Sequence, residues 1–201
     1  MLQNLFRRVS RPLTRVLLRT VSLRDPWQRF PLDVPLACYG AGATHDFAWY
    51  LTGTSRVRVH TLDDLLSWLR DCQYRRDPDL FLSADYWQHP LTFEQIRQGD
   101  CEDFALWTWR KLLELGFEAE FVTGRCRSGN NTFAGHAWIH IHHDGPCRLF
   151  DPVLCRHTRP LFARDDLRGV YCPEVSVDRD LTRYAYAGYF LHAFDGSSSQ
   201  P

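Results

Sequence analysis

The sequence contains a single lysine, Lys111, and no run of apolar residues long enough to cross a bilayer. Its 24 basic residues are balanced by 24 acidic ones, so the formal net charge is zero. A neutral chain with scattered charges lacks the basic surface that binding to nucleic acid requires. We therefore expect neither a nucleic-acid partner nor a membrane-spanning segment.

The cysteines do not follow the pattern of a disulfide framework or of a zinc finger. Their number is odd, and none of their spacings is C-x-x-C. The N-terminus also lacks the uninterrupted apolar core of a secretory signal peptide. A reducing, cytoplasmic location is therefore the expectation. The seven cysteines lie at positions 38, 72, 101, 126, 147, 155 and 172.

Residues 1–29 form a basic amphipathic arm with seven arginines and one acid, Asp25. Apolar residues recur along it near helical spacing, and Pro12 breaks the pattern. The pattern is typical of a solvated or packed arm, and it also fits a transit peptide or a helix that contacts a membrane surface. We predict this arm, one globular domain over residues 30–195 and a flexible tail over residues 196–201.

Two short helices are predicted in the first half of the domain. Thr61 or Asp63 can cap a helix over residues 62–75. Thr92, with Gln95 three residues later, is a capping-box pattern for the second.

A longer helix is predicted from about Asp100 to Leu115, with Gly116 as the glycine that ends it. Cys101 opens this helix on the stripe that faces the core. Asp100 and Asp103 fit the N-cap and N3 positions of the same helix. The sequence therefore places a thiol at the mouth of a helix.

After Gly116 the pattern becomes alternating and predicts strands over 118–127, 132–143 and 147–154. Asp144-Gly145 is a preferred pair for a two-residue hairpin turn between the last two strands. That turn places Asp151 opposite Trp138. Because side chains alternate along a strand, His136 shares the face of Trp138, and Asp151 becomes its diagonal neighbour.

Cys101, His136 and Asp151 are thus expected to converge. A thiol becomes a nucleophile when a neighbouring imidazole takes its proton and a third group fixes the imidazole tautomer. The helix N-terminus favours the thiolate, whereas the flanking acids oppose it by raising the thiol pKa. The acids therefore need an explanation of their own.

The segments GDCEDFA, GHAWIHI and LFDPV resemble the transglutaminase-like superfamily, whose papain-like core supplies Cys, His and Asp in this chain order. Together with DYWQHP before the cysteine, they are most similar to the bacterial transglutaminase-like cysteine proteinases. The resemblance covers roughly residues 80–155. It implies an α+β fold in which the catalytic helix packs on an antiparallel sheet.

By this resemblance Cys101 is the nucleophile, His136 the general base and acid, and Asp151 the residue that orients the imidazole. The Cys101 backbone N–H would form the oxyanion hole, together with a side chain from Trp87 or Gln88. The chemistry requires no cofactor.

Related bacterial proteinases also hold calcium with acids around their cysteine. Asp100, Glu102 and Asp103 are therefore a candidate calcium site, with helix capping as the alternative. A zinc site is a further alternative, because the predicted hairpin places His142 opposite Cys147 and Cys126 can lie on the adjacent strand.

The predicted function is thiol-dependent acyl transfer on amide bonds of a protein or peptide substrate, as in a cysteine peptidase or amidase. Release of the acyl group to an amine instead of water would make the protein a transglutaminase. A transglutaminase-like module that only binds is the alternative from another functional class.

Overall fold

The structure is a computed structural model, and it describes residue 20 and residues 25–127, 129, 131–142, 146–156, 160–167 and 169–189. Most of the predicted arm, the Asp144-Gly145 turn and the predicted tail over 196–201 lie outside the described residues. The division of the chain at residues 29 and 195 and the membrane contact of the arm stay predictions. Within the described ranges, no helix has the length and apolar character of a membrane span.

The strands are short at the sheet edges and long at its centre. Their bounds are β1 (Arg29–Pro31), β2 (Gln73–Tyr74), β3 (Gln98–Gly99), β4 (Glu118–Arg127), β5 (Phe133–His142), β6 (Arg148–Phe150), β7 (Leu161–Ala163), β8 (Tyr171–Val177) and β9 (Arg183–Tyr186). Seven of the described strands form one antiparallel sheet in the order β1-β9-β8-β4-β5-β6-β7. β2 and β3 form a separate parallel pair.

The predicted register between β5 and β6 is confirmed. His140 pairs with Leu149, which is the pairing that a two-residue turn at 144–145 requires. Asp151 directly follows β6, so the same register places it opposite Trp138. The diagonal relation between His136 and Asp151 therefore rests on sheet pairing.

Five α-helices lie entirely within the described residues. They are α1 (Phe47–Tyr50), α2 (Leu62–Arg70), α3 (Asp77–Leu80), α4 (Pro90–Ile96) and α5 (Cys101–Glu114). The predicted cap of α2 is confirmed, because Thr61 Oγ1 accepts from Asp64 N at 3.1 Å. α2 ends earlier than predicted, since Gln73 leaves it to pair with β3. The predicted capping box of α4 is wrong: His89 is its N-cap and Pro90 its first residue, where the missing N–H of proline is harmless.

α5 packs against one face of the sheet and forms the centre of the main core. Its side chains are buried on nearly all sides, as in a helix enclosed by a domain. Trp109 Nε1 donates to Ala119 O of β4 at 3.1 Å and ties the helix to the sheet. The predicted helix over 100–115 and the predicted α+β class, with a helix packed on an antiparallel sheet, are confirmed.

A second buried cluster covers the opposite face of the sheet. Trp138, Tyr171 and Tyr186 pack there with Trp27, which is 3% exposed. Chain segments that are distant in sequence thereby hold the end of β5 that carries His136.

Candidate active site

A cleft of about 520 Å³ opens at the N-terminal end of α5. Cys101 and His136 both line it, one from the helix and one from β5. We call His136, with Asp151 and Tyr171 behind it, the imidazole wall. The carboxylate wall consists of four acids that also line the cleft: Asp77, Asp85, Asp100 and Glu102.

The imidazole wall is closely hydrogen-bonded. His136 Nε2 lies 2.8 Å from Asp151 Oδ2, and the His136 side chain is 16% exposed. Tyr171 Oη donates to the same carboxylate oxygen at 2.7 Å. Val153 N donates to Asp151 Oδ1 at 3.1 Å. Asp151 is buried, so these donors replace the water that its charge would otherwise require.

The sulfur of Cys101 lies between the two walls. It donates to Glu102 Oε2 at 3.2 Å, and the backbone N–H of Ala137, next to His136, is directed at it. Burial raises the pKa of the Cys101 thiol well above its ordinary value, and the charges of Glu102 and Asp100 raise it further. The Ala137 N–H lowers it. In this arrangement the resting group is a thiol.

The carboxylate wall concentrates acids that come from separate parts of the chain. One oxygen each of Asp77, Asp85 and Glu102 lies within 4.8 Å of the others. The Asp77 side chain accepts from Tyr86 N at 2.5 Å, and the Asp85 side chain accepts from Gly42 N at 2.7 Å. The Tyr86 bond leaves Asp77 Oδ1 without a donor among the described residues, whereas Asp85 accepts hydrogen bonds on both of its oxygens.

Three acids of the carboxylate wall, Asp77, Asp100 and Glu102, resist ionisation. Burial raises the pKa of Asp77 to about 6, with a further increase from Asp100 and Asp85. Burial also raises the pKa of Asp100, and burial and Asp100 together raise that of Glu102 well above its ordinary value. Burial of like charges close to one another explains these raised pKa values.

Asp103, the third predicted calcium ligand, is bonded within the protein. Its Oδ1 accepts from Gln88 N at 2.8 Å, and its Oδ2 accepts from Gln88 Nε2 at 2.5 Å and from Asp100 N at 3.3 Å. The last bond is one half of a capping box. Burial raises the pKa of Asp103 well above its ordinary value. An oxygen of Asp103 nevertheless lies within 4.8 Å of oxygens from Asp77 and Asp100.

The two residues predicted for the oxyanion hole have other partners. Trp87 Nε1 donates to Asp85 Oδ1 at 3.0 Å. The Gln88 amide donates to Gln98 O at 2.9 Å as well as to Asp103, and Gln88 is almost completely buried. Trp87 lines the cleft, whereas Gln88 supports the base of α5.

The zinc alternative is wrong. His142 and Cys147 line a separate cavity of about 230 Å³ on the outer face of the sheet. Cys126 pairs with Ala134 at the far end of β4, while Glu118 at the near end pairs with His142. The length of the strand therefore separates Cys126 from the other two predicted ligands.

Asp77, Asp85 and Tyr171 belong to the site, and the sequence patterns did not single them out. Asp85 is the first residue of the DYWQHP segment, which is the one local signal available, although no role was predicted for it. Asp77 and Tyr171 lie in segments without any motif, so only the folded chain identifies them.

Comparison with known proteins gives likenesses at the level of the fold. No protein-family model and no curated protein matches the chain. Among solved structures, it is similar to calcium-bound LapG of Legionella pneumophila, with 18% identity, a TM-score of 0.48 and coverage of 85% of this chain and 87% of that one. EGTA-treated LapG gives 22% identity and a TM-score of 0.44 over 57% of this chain. A Cytophaga hutchinsonii protein provisionally assigned to the cysteine proteases gives 15% identity and a TM-score of 0.39 over 78% of this chain and 51% of that one.

In two of the LapG structures, the matched region spans 60% and 64% of that chain. At such identities and TM-scores the likeness describes the fold, and the roles of individual residues depend on the geometry of this chain.

Proposed function

We propose that the chain is a cysteine peptidase or amidase that cleaves amide bonds of a protein or peptide through a thioester. The observation that carries this proposal is the bond between His136 Nε2 and the buried Asp151, made by an imidazole that lines the same cleft as Cys101. Asp151 holds one ring nitrogen, which leaves His136 Nδ1 for proton transfer with the thiol.

The reaction begins when His136 Nδ1 takes the proton of Cys101. The thiolate attacks the amide carbonyl carbon, and the carbonyl π electrons move to oxygen. As the tetrahedral intermediate collapses, the C–N bond breaks and His136 returns its proton to the leaving amine. Water, deprotonated by His136, then cleaves the thioester and regenerates the thiol.

The oxyanion of the intermediate lies near the positive end of α5, where the backbone N–H of Cys101 is the proposed donor. A second donor from Trp87 requires its indole to leave Asp85, and one from Gln88 requires its amide to leave Asp103. Their roles stay predictions.

We further propose that a calcium ion binds the carboxylate wall. Asp77 Oδ1 and Asp100 Oδ1 are buried and accept no hydrogen bond from an N–H or hydroxyl group among the described residues. Hard carboxylate oxygens in a group of like charges are the ligands that calcium prefers. Asp85 and Glu102 complete the set on the cleft side, and Asp103 borders it. The bound ion supplies positive charge that offsets the acids beside Cys101.

Hydrolysis and transfer to an amine share the thioester step. Lys111, the only lysine of the chain, is completely buried and bonded to Glu114 Oε2 at 2.9 Å. The protein therefore offers no accessible lysine side chain as an acceptor. An added amine or a lysine of the substrate would have to be the acyl acceptor. Hydrolysis and transfer to an amine can therefore be separated by assaying with and without an added amine.

The test is alkylation with iodoacetamide at pH 6, with calcium and after chelation, followed by mapping of the modified cysteines. Cys101 should react first in the calcium-bound protein. Cys126 is the internal reference, because burial raises its pKa to about 11 and it is protonated at this pH. An excess of about tenfold or more over Cys126 is expected for a thiol paired with an imidazole.

His136→Ala should remove this excess, while Cys126→Ala should leave the alkylation rate of Cys101 itself unchanged. Thioester trapping with hydroxylamine and lysate proteins then identifies the acyl group. If Cys101 reacts no faster than Cys126 under either condition, the protein is a binding module and not a thiol hydrolase.

A further inference from the structure

The carboxylate of Asp151 receives donors from three parts of the chain. Val153 lies two residues away and bonds to Oδ1, which is a local turn contact. His136 of β5 and Tyr171 of β8 both meet Oδ2, at 2.8 and 2.7 Å. The Tyr171 hydroxyl is therefore the donor from a separate element that fixes the oxygen facing the imidazole.

Tyr171 is itself held rigidly. Tyr171 of β8 pairs with Cys126 of β4, and both strands have neighbours on each side in the sheet. The Tyr171 ring packs edge-on against Trp138 at a centroid distance of 5.3 Å, and Tyr171 is 5% exposed. Trp138 in turn stacks near the His136 ring, with centroids 6.1 Å apart. Because the Tyr171 ring is held by this packing, its hydroxyl has a fixed position, and the hydrogen bond to Asp151 is lost if the carboxylate rotates.

The hydroxyl also keeps its proton throughout the working pH range. Burial raises the pKa of Tyr171 well above its ordinary value, and the Asp151 charge raises it further. The Tyr171 hydroxyl therefore stays neutral and donates its hydrogen bond at every pH at which His136 changes its protonation.

We propose that Tyr171 is a positioning residue of the active site, whose hydroxyl fixes Asp151 so that Oδ2 holds His136 Nε2. This inference rests on the proposed function, because it concerns the same imidazole. Without the hydroxyl, Asp151 can rotate about its side-chain bond, and the imidazole loses its fixed tautomer. Tyr171 touches neither the thiol nor the substrate in this role.

Tyr186→Phe provides a matched control. Tyr186 is also a buried tyrosine of the outer face, but its hydroxyl donates to Glu120 Oε2 at 3.1 Å and lies 3.0 Å from His140 Nδ1, both of them groups other than the triad carboxylate. Both substitutions remove one buried hydroxyl and retain the ring, so a general effect on stability appears in both variants.

The experiment measures the alkylation rate of Cys101 by iodoacetamide between pH 5 and pH 8 in the full chain with calcium. Tyr171→Phe should lower the rate at pH 6 by about tenfold, the size expected when a charged acceptor loses one hydrogen bond. Tyr186→Phe should leave the rate unchanged. In an Asp151→Ala background, Tyr171→Phe should cause no further loss, because its effect passes through Asp151.

A second measurement reads the imidazole directly. ¹⁵N NMR of the ring, assigned with His136→Ala, should show the Nε2–H tautomer in the unsubstituted protein and a mixture of tautomers in Tyr171→Phe. Unchanged alkylation and an unchanged tautomer in Tyr171→Phe would overturn the proposal, as would equal losses in Tyr186→Phe. If Cys101 of the unsubstituted protein shows no reactivity at pH 6 and His136→Ala changes nothing, the proposed function itself fails.

Discussion

The two walls of the cleft satisfy their charges in opposite ways. In the imidazole wall, the buried carboxylate of Asp151 is neutralised by donors of the protein itself, with His136 and Tyr171 on one oxygen. In the carboxylate wall, Asp77 and Asp100 each keep a buried oxygen without a donor among the described residues. The charge of one wall is satisfied by the folded protein, and the other wall leaves buried oxygens for the cation that we propose.

This contrast explains how a thiol can lie among acids. The same acids that raise the pKa of Cys101 belong to groups whose oxygens lie within 4.8 Å of one another, as a hard cation requires. With the ion bound, their charge no longer opposes the thiolate, and the helix end and His136 can act on it. In the proposed function, the imidazole wall transfers protons, and the carboxylate wall with its ion sets the electrostatic potential at the Cys101 sulfur.

The largest expected effect comes from breaking the imidazole wall. Asp151→Asn should leave the protein folded and lower turnover of a cleavable substrate by about 10⁴-fold, through a wrong imidazole tautomer and an unsupported imidazolium. Asp178→Asn is the control, because Asp178 caps the turn between β8 and β9 and accepts from Thr182 N at 2.9 Å. Turnover of Asp151→Asn within a few-fold of the unsubstituted protein would contradict the assignment.

Calcium should stabilise the carboxylate wall. At a free concentration of about 100 times Kd, one ion adds about 2.7 kcal/mol, or about 5–10 °C in Tm for a chain of this size. Differential scanning calorimetry after EGTA treatment and after calcium is returned measures this difference. Magnesium at equal ionic strength is the control for screening.

Asp77→Asn separates ion binding from general charge effects. It keeps an oxygen to accept from Tyr86 N but removes one ligand charge. The calcium response should shrink, and the EGTA-treated variant should be no less stable than the EGTA-treated unsubstituted protein. A full calcium response in Asp77→Asn would show that the ion binds elsewhere.

Asp103 and Asp100 should differ in what they contribute to stability. Asp103→Ala leaves the Gln88 donors without their acceptor and should lower the free energy of unfolding in EGTA by about 2–3 kcal/mol. Asp100→Ala removes an N-cap worth about 1 kcal/mol but also one charge of the carboxylate wall, so it should lower the free energy of unfolding by about 1 kcal/mol or less. Urea denaturation of both variants tests this order, and equal losses would mean that Asp103 is not the support of the helix base.

The smallest expected effect is a pH dependence of the calcium-free protein. The pKa of Asp77 is about 6 in the folded state against 3.8 for an ordinary aspartate. Because the folded value is raised, the contribution of Asp77 to stability is complete below about 3.8 and is lost as pH rises through 6. Tm in EGTA should therefore fall from pH 5 to pH 7 by more in the unsubstituted protein than in Asp77→Asn. Parallel curves would exclude Asp77 as the source.

The sequence by itself determined the features that depend on local periodicity. The helix from Asp100, its capping residues and the register between β5 and β6 follow from spacing alone, because side chains repeat at 3.6 or 2 residues and an Asp-Gly turn fixes the pairing. The meeting of His136 with Asp151 could therefore be predicted without coordinates. The start of the helix at Pro90 was misplaced by three residues, because His89 can cap a helix and the pattern at Thr92 looked stronger.

Only the tertiary structure decided which distant groups reach the cleft. Asp77, Asp85 and Tyr171 arrive from α3, from the segment after it and from β8, and no spacing along the chain records such an approach. The partners of Trp87 and Gln88 were likewise decided by packing, since each donor meets a carboxylate that the fold places beside it, and a buried polar group without a partner is unfavourable. The sequence thus fixes which side chains share a face of one element, while the packing of elements decides which charges must share one cleft.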